Sequence, residues 1–252
     1  MAALQCAPAA AQEVPPPEER VGQVGAVAIS LTEFEHWFAA ATHSQFQQSM
    51  EFVAPGYERC TAAKRKLRAA NGWRRLGGRE LRARCARDHR MVRRQVMQFL
   101  VQSQWVEQEA AAVGVVVSER RVRQVFESQK RTAFPNERGY QRFLRESGAS
   151  EADILYRIRL DTLQNRLTRH VTSHAEPVTA EDVARYRADH PDRYKNLSDG
   201  KANRKVRRQL QSASEQMTLG LFIEGFRKRY RALTWCADGY AIAECGAIAP
   251  PS

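Results

Sequence analysis

Residues 79 to 118 read RELRARCARDHRMVRRQVMQFLVQSQWVEQEAAAVGVVVS. Val92, Val96, Phe99, Val106, Ala110 and Val113 recur at intervals of three and four, with Trp105 beside them, so this stretch predicts one long amphipathic helix from Arg79 to Val113. Gly114 supplies its stop, because glycine takes the left-handed conformation that ends a helix. The apolar run AAAVGVVV at 110–117 is the longest in the chain and is far shorter than the roughly 20 residues of a membrane span.

Working outward, VGAVAIS at 24–30 is a short β-prone run. LTEFEHWFAAATH then changes to helical spacing, with Thr32 and Glu35 as a capping box and Phe34, Trp37, Phe38 and Ala41 as a stripe. Residues 44–78 hold Pro55, Gly56, Asn71, Gly72, Gly77 and Gly78 and predict an irregular excursion with a short helix around Cys60. Downstream, Ser118 caps a helix carrying Val122, Val125 and Phe126; FPNE breaks it; Tyr140, Phe143 and Leu144 mark a shorter helix ending at Gly148. Ser150 with Asp153 opens a helix from Glu151 to about Thr172, with Ile154, Leu155, Ile158, Leu163 and Leu167 inward. In VTAEDVARYRADHPDRY, Thr179 and Asp182 form another capping box and Pro191 stops the element. The last helix spans Lys201 to Leu233, with Val206, Leu210, Met217, Leu221, Phe222 and Phe226 as its inward residues, and TWCADGYAIAECG is a turn and β-like tail. The expected fold class is all-α, with one minor pairing of short terminal strands.

The 252 residues carry 40 Lys+Arg against 28 Asp+Glu, a net charge of +12, and a pI near 9.9. Nucleic acid, an anionic membrane or cell-wall surface, and acidic polypeptides are the electrostatically natural contacts. Only seven of the 40 cations are Lys, and Arg is spread along nearly every helix, which fits solvated faces as well as a binding patch. RRLGGRELRARCARDHRMVRR, residues 74–94, is the densest basic stretch. No helix-turn-helix, zinc-finger or RNA-recognition signature accompanies it, so specific nucleic-acid recognition is not expected.

Residues 1–23 are rich in Ala, Pro and Glu and predict a disordered tail. APAAAQ resembles the small-residue end of a secretory leader whose start would lie further upstream, and Cys6 raises a lipoprotein reading that Leu4 and Gln5 fit poorly. Cys60, Cys85, Cys236 and Cys245 contain no CxxC, so neither a zinc ribbon nor a thioredoxin-type motif is supported. Four cysteines allow three pairings; Cys60 with Cys85 and Cys236 with Cys245 close loops of ordinary length for structural bridges and point to an oxidising compartment. Buried free thiols in a cytosolic protein are the alternative.

Catalytic chemistry finds no foothold. His170 and His174 stand at i and i+4 on a helix end, but no HExxH glutamate or third ligand is spaced nearby, and His at a helix C-terminus is favoured by the dipole. There is no G-x-S-x-G, no glycine-rich phosphate loop and no acidic cluster placed to hold a cation, so no cofactor and no metal is expected.

The order of elements carries a resemblance. AISLTEFEHWF, the long helix QVMQFLVQSQWVEQEAAAVGVVVS, SERRVRQVFESQK, FPNERGYQRFLRESGASEADILYRIRLDTLQNRL and VTAEDVARYRADHPDRY together resemble, from about Val24 to Tyr194, the N-terminal module of the SurA and PrsA class of exported foldases, in particular actinobacterial SurA-N-type proteins. FIEGFRKRYRALTWCADGYAIAECG resembles the last helix and Cys-bracketed tail of that group. In most such relatives a parvulin-type prolyl isomerase domain follows the segment corresponding to VTAEDVARYRADHPDRY, whereas here NLSDGKAN at 196–203 leads into the last helix.

The resemblance therefore implies a SurA-N-like chaperone module at 24–195, a linker at 196–203 where the isomerase is missing, and a last helix and tail at 204–252 that complete the module. It implies an exported, extracytoplasmic protein that binds unfolded or nascent exported polypeptides without catalysis. A prolyl isomerase is the enzyme alternative, and a basic nucleic-acid-binding protein is a third reading. Among the aromatics Trp37, Trp105, Phe126, Phe134, Tyr140, Phe143 and Phe222, most should be core at helical spacing. Phe126, Phe134, Tyr140 and Phe143 are the candidate client-binding residues, with Phe134 and Tyr140 favoured because they flank the FPN turn.

Overall fold

Apolar spacing of three and four governs most of the sequence. In the computed structural model, which describes residues 19–46, 52, 54–72, 74–247 and 249–250, it yields eight α-helices and one small sheet among those residues. Cys6 and most of the expected tail lie outside the described residues. The chain divides into two compact units, one made of 1–104 with 232–252 and the other of 105–231.

The first unit begins with strand β1 (Arg20–Val24), which takes up the end of the stretch expected to be tail, and β2 (Val27–Ser30). They pair antiparallel with Val24 opposite Val27, so Gly25 and Ala26 make the two-residue turn. Gly25 adopts φ 55°, which an L side chain resists and glycine accepts. Strand β3 (Thr234–Cys236) joins the free edge of β1, giving the order β2-β1-β3 and supplying the expected terminal pairing.

Helix α1 (Leu31–Phe46) starts directly from β2. Its cap is Ser30, whose hydroxyl accepts from the Glu33 N–H at 3.1 Å, and not Thr32 as the sequence suggested. Strand pairing ends at Ser30, so the helix begins at the next residue with Ser30 as its cap. Helix α2 (Glu58–Ala70) is longer than the short helix expected around Cys60. Helix α3 (Gly78–Ala112) is the long helix read from residues 79–113, and the boundary between the two units falls within it.

Val21, Val24 and Ile29 of the sheet, Phe34 and Trp37 of α1, and Val92, Val96, Met97, Leu100 and Val101 of α3 are all buried in the first unit. A Cβ on Gly22 would stand 3.2 Å from both the Met97 Cε and the Trp235 carbonyl, a measure of how closely β1 sits between α3 and β3. Phe99, read as inward, is half-buried and packs edge-on against Trp37 with ring centroids 4.7 Å apart.

Two disulfides tie this unit, Cys60–Cys85 between α2 and α3 and Cys236–Cys245 in the tail. The tail is held further by Gln98 and Gln102, which both donate to Glu244 Oε1 at 2.8 and 2.9 Å, and by the Gly246 and Ala247 N–H groups, which donate to the Thr234 carbonyl.

His89 of α3 sits in an aromatic nest in the same unit. The Phe52 ring stacks on it at 5.4 Å, Phe38 meets its edge at 5.6 Å, and the Tyr57 hydroxyl lies 3.3 Å from Nδ1. Burial first, then the neighbouring Arg93 and Arg90, hold its pKa below the ordinary 6.5. The unfolded chain therefore takes up more protons than the folded one as pH falls through that value, so the stability due to neutral His89 is full above it and declines below it. Melting temperature should drop between about pH 7.5 and pH 5.5, and His89→Gln should shrink that drop; an undiminished drop would take His89 out of the account.

The second unit holds the end of α3 with α4 (Glu119–Ala133), α5 (Glu137–Ser147), α6 (Glu151–Thr172), α7 (Ala180–Asp189), a 3-10 turn at Pro191–Tyr194, and α8 (Asp199–Ala232) as far as Arg231. The capping boxes Ser150–Asp153 and Thr179–Asp182 are both formed, and Ser118 and Asn136 cap α4 and α5. Helix α8 begins at Asp199, inside the segment expected to be a linker, so only residues 195–198 join it to the 3-10 turn.

Two cores result. Ala110, Val117, Val122, Phe126, Tyr140, Ile158 and Leu163 form one, and Val183, Tyr194, Ala202 and Val206 the other. Further along α8, Trp105 meets Phe226 edge-on at 5.8 Å and Tyr230 at 6.0 Å. Beside them Arg229 bridges both oxygens of the buried Glu109 at 2.7 and 2.8 Å. Burial, then the Glu109 carboxylate, push Tyr230 up to about 12.

Candidate functional site

The FPN turn is built as the sequence implies. Phe134 leaves α4 in extended conformation, and Asn136 Oδ1 accepts from the Gly139 N–H at 2.9 Å to start α5. The turn does not, however, project Tyr140. That ring is 1 % exposed, with Phe126 at 5.9 Å and Phe134 at 5.5 Å, and its hydroxyl donates to Glu151 Oε2 at 3.1 Å. Lys130 Nζ lies 4.0 Å from its centroid.

Burial first and the Glu151 bond second push the Tyr140 hydroxyl up to about 12, so it remains a neutral donor at working pH. Phe126 is buried in the same core. Of the four candidate residues, Phe143 alone is exposed, at 38 %, with the half-buried Phe134 beneath it at 5.2 Å.

A larger feature lies along α8. At about 100° per residue, Ala202, Val206, Leu210, Met217 and Leu221 share one face and Phe222, Phe226 and Tyr230 the opposite one. The first face meets α7 and the 3-10 turn, where Val183 and Tyr194 pack with Ala202 and Val206, and Tyr186 and Leu210 lie at the edge. Tyr194 donates to Gln209 Oε1 at 3.0 Å, and Gln209 donates to the Tyr186 hydroxyl at 2.8 Å. Ser214 reaches the Glu176 carbonyl at 3.1 Å, and Gln211 accepts from the Val178 N–H.

Beyond Ser214 the same face continues as Met217, 70 % exposed, and Leu221, 66 % exposed. Both were read as inward in the sequence. They share the period of Val206 and Leu210, but the element that covers Val206 does not extend over them. Where α7 meets α8, Pro177, Val178, Tyr186, Leu210 and Ser214 line a groove of about 380 Å3 with Asp182, Arg185 and Asp189 at its rim. Leu210 and Ser214 thus lead from the groove directly onto Met217 and Leu221. The roomier cleft nearby, about 580 Å3, is polar, and its Arg187 is already committed to Asn203 and Asp199, both at 2.8 Å.

His170 and His174 stand together, ring centroids 4.9 Å apart, with His174 Nδ1 on the His170 carbonyl at 2.7 Å, which serves the helix end. Among the described residues, no three His, Cys, Asp or Glu side chains gather as a ligand set, and no helix is long and apolar enough to cross a membrane.

A mostly helical module with a small antiparallel sheet, two disulfides and an exposed apolar face is the class of protein these observations define. Residues 58–168, from the first residue of α2 into α6, match the family model described as the SurA-like N-terminal domain, a match that supports a SurA N-terminal-like family for this stretch of the chain. No curated protein and no solved structure matches the chain. The two disulfides fit an extracytoplasmic location.

Proposed function

We propose that the protein is an exported chaperone-like module that holds unfolded or partly folded polypeptides without catalysis. The groove between α7 and α8, continued by Met217 and Leu221, is its principal contact surface. The observation that carries this reading is the uncovered continuation of a core face. The face that buries Val206 against α7 runs on as two large, flexible apolar side chains that meet solvent.

Exposed apolar patches of this kind mark sites of association, and methionine adapts to many partners at low cost. From Leu210 to Leu221 the face is about 16 Å long at 1.5 Å per residue, which accommodates about five residues of extended peptide at 3.3 Å each. Phe143 over Phe134 offers a second, smaller contact. The SurA-like match supports polypeptides as the ligand, and the disulfides support export.

The purified chain should delay aggregation of an unfolded client at near-stoichiometric ratio. It should leave prolyl exchange at its uncatalysed time of about 10 to 100 s. The double variant Met217→Ser, Leu221→Ser should lose most of that protection with an unchanged melting temperature, since neither side chain is buried. Full protection by the variant would remove this face from the reading, and accelerated prolyl exchange would replace holding with catalysis.

A further inference from the structure

The positive charge of this chain is not spread over its surface. Residues 58–94, which form α2, its connection and the first half of α3, contain 14 Lys+Arg and three Asp+Glu, so 14 − 3 = +11 of the net +12 resides in this hairpin. Elsewhere acids and bases nearly cancel. Outside the hairpin 26 Lys+Arg stand against 25 Asp+Glu, so the Arg spread along the other helices adds almost no net charge.

The hairpin's own acids do little to offset it. Asp88 is taken by Lys64 at 2.6 Å, and Glu80 by Arg74 and Arg84 at 3.5 and 3.4 Å. On α3, Arg79, Arg82, Arg87, Arg90 and Arg94 are all exposed. At about 100° per residue they fall within an arc of about 140°, while the buried Leu81, Cys85 and Val92 lie roughly half a turn away. The Arg row is about 22 Å long. At its end Arg90, Arg93 and Arg94 line a cleft of about 290 Å3 with Tyr240, where the Arg93 guanidinium lies 4.2 Å over the Tyr240 ring. Two apolar side chains stand exposed within the same basic hairpin, Leu67 at 46 % and Met91 at 39 %, and Met91 is one turn from both Arg87 and Arg94.

We infer that the α2–α3 hairpin docks on an anionic lipid bilayer, with the Arg row on lipid phosphates and Leu67 and Met91 entering the interface. A concentrated cationic face is attracted to an anionic leaflet, and a few exposed apolar side chains among the cations add the second signal that lasting attachment to a bilayer needs. Nucleic acid would satisfy the charge but leave Leu67 and Met91 without a role, and the two disulfides fit a compartment outside the cytoplasm.

The test is co-sedimentation of the whole chain with vesicles of phosphatidylcholine, with and without about 30 % phosphatidylglycerol, at about 0.1 M salt. Binding is expected to the anionic vesicles alone. The triple variant Arg82→Gln, Arg87→Gln, Arg90→Gln should lower it about 100-fold, the effect of three cations at a charged surface. Removing the same charge from α4, with Arg120→Gln, Arg121→Gln and Arg123→Gln, should change it little. Leu67→Ser with Met91→Ser should lower vesicle binding about tenfold.

Absence of binding to anionic vesicles overturns the inference. So does equal loss in the α4 variant, which would reduce the effect to net charge, or an unchanged Leu67→Ser, Met91→Ser variant. A DNA duplex that competes, phosphate for phosphate, better than the vesicles do would reassign the face to nucleic acid. None of these outcomes depends on whether the groove of α7 and α8 holds polypeptides.

Discussion

Tyr140→Ala is expected to destabilise the protein by about 4 kcal/mol, the loss typical of emptying a buried aromatic site. The ring is closed in by Phe126, Phe134 and the Lys130 ammonium, and its hydroxyl bonds Glu151 across the α5–α6 connection, so truncation leaves a cavity and an orphaned carboxylate together. Tyr140→Phe separates the two effects. It keeps the packing and should cost only about 1 kcal/mol, the usual net value of one hydrogen bond. Phe143→Ala, three residues on and exposed, should cost less than about 1 kcal/mol. Urea unfolding of the three variants decides the matter. A cost below about 1 kcal/mol for Tyr140→Ala would return Tyr140 to the surface and to the list of client contacts.

That pair of residues also shows where a sequence stops being informative. The helix starts at Ser150 and Thr179 were legible because a capping box is a bond between residues three apart, whose partners are visible together in the sequence. Long α3 was legible for a similar reason, since its period is local. Whether Tyr140 or Phe143 turns inward is not local. Both lie on one side of α5, and the choice falls to Tyr140 because Phe126 of α4 and Glu151 of α6 converge on it.

Met217 and Leu221 repeat the lesson in reverse. Their spacing from Val206 and Leu210 is that of a core face, but burial needs a second surface, and at Met217 and Leu221 the face meets solvent. The clue was the opposite face of the same helix, Phe222, Phe226 and Tyr230. A helix apolar on two sides requires two partners, and between Thr172 and Asp199 the chain forms only one short α-helix and a 3-10 turn. The cap of α1 moved from Thr32 to Ser30 because strand pairing, a long-range event, ends there.

Removing the Cys60–Cys85 bridge by Cys60→Ala with Cys85→Ala is expected to cost about 3.5 kcal/mol, from the loop entropy that a separation of 25 residues restrains in the unfolded chain. The Cys236–Cys245 bridge, with a separation of 9, should cost about 2.5 kcal/mol on the same reasoning. The first bridge also has a folded-state task that the second lacks. Helix α2 buries only Cys60 and Thr61, so apolar packing holds it weakly against α3, and the bridge is assisted chiefly by Phe52, Tyr57 and the Lys64–Asp88 pair.

Against these ties stands the repulsion of the hairpin's +11 charge, which favours parting the helices. Without the bridge, α2 amides should therefore exchange with solvent before those of Val92 to Val101, and the deficit in stability should shrink as salt rises. At about 1 M ionic strength charges more than about 3 Å apart are screened, whereas loop entropy is indifferent to salt. Denaturant unfolding of the bridged and unbridged proteins at about 0.05 M and about 1 M salt separates the two contributions. A salt-independent gap would leave loop entropy as the whole effect of the bridge. A gap that closes by about 1 kcal/mol or more would show that the disulfide is also what keeps a strongly charged helical hairpin shut.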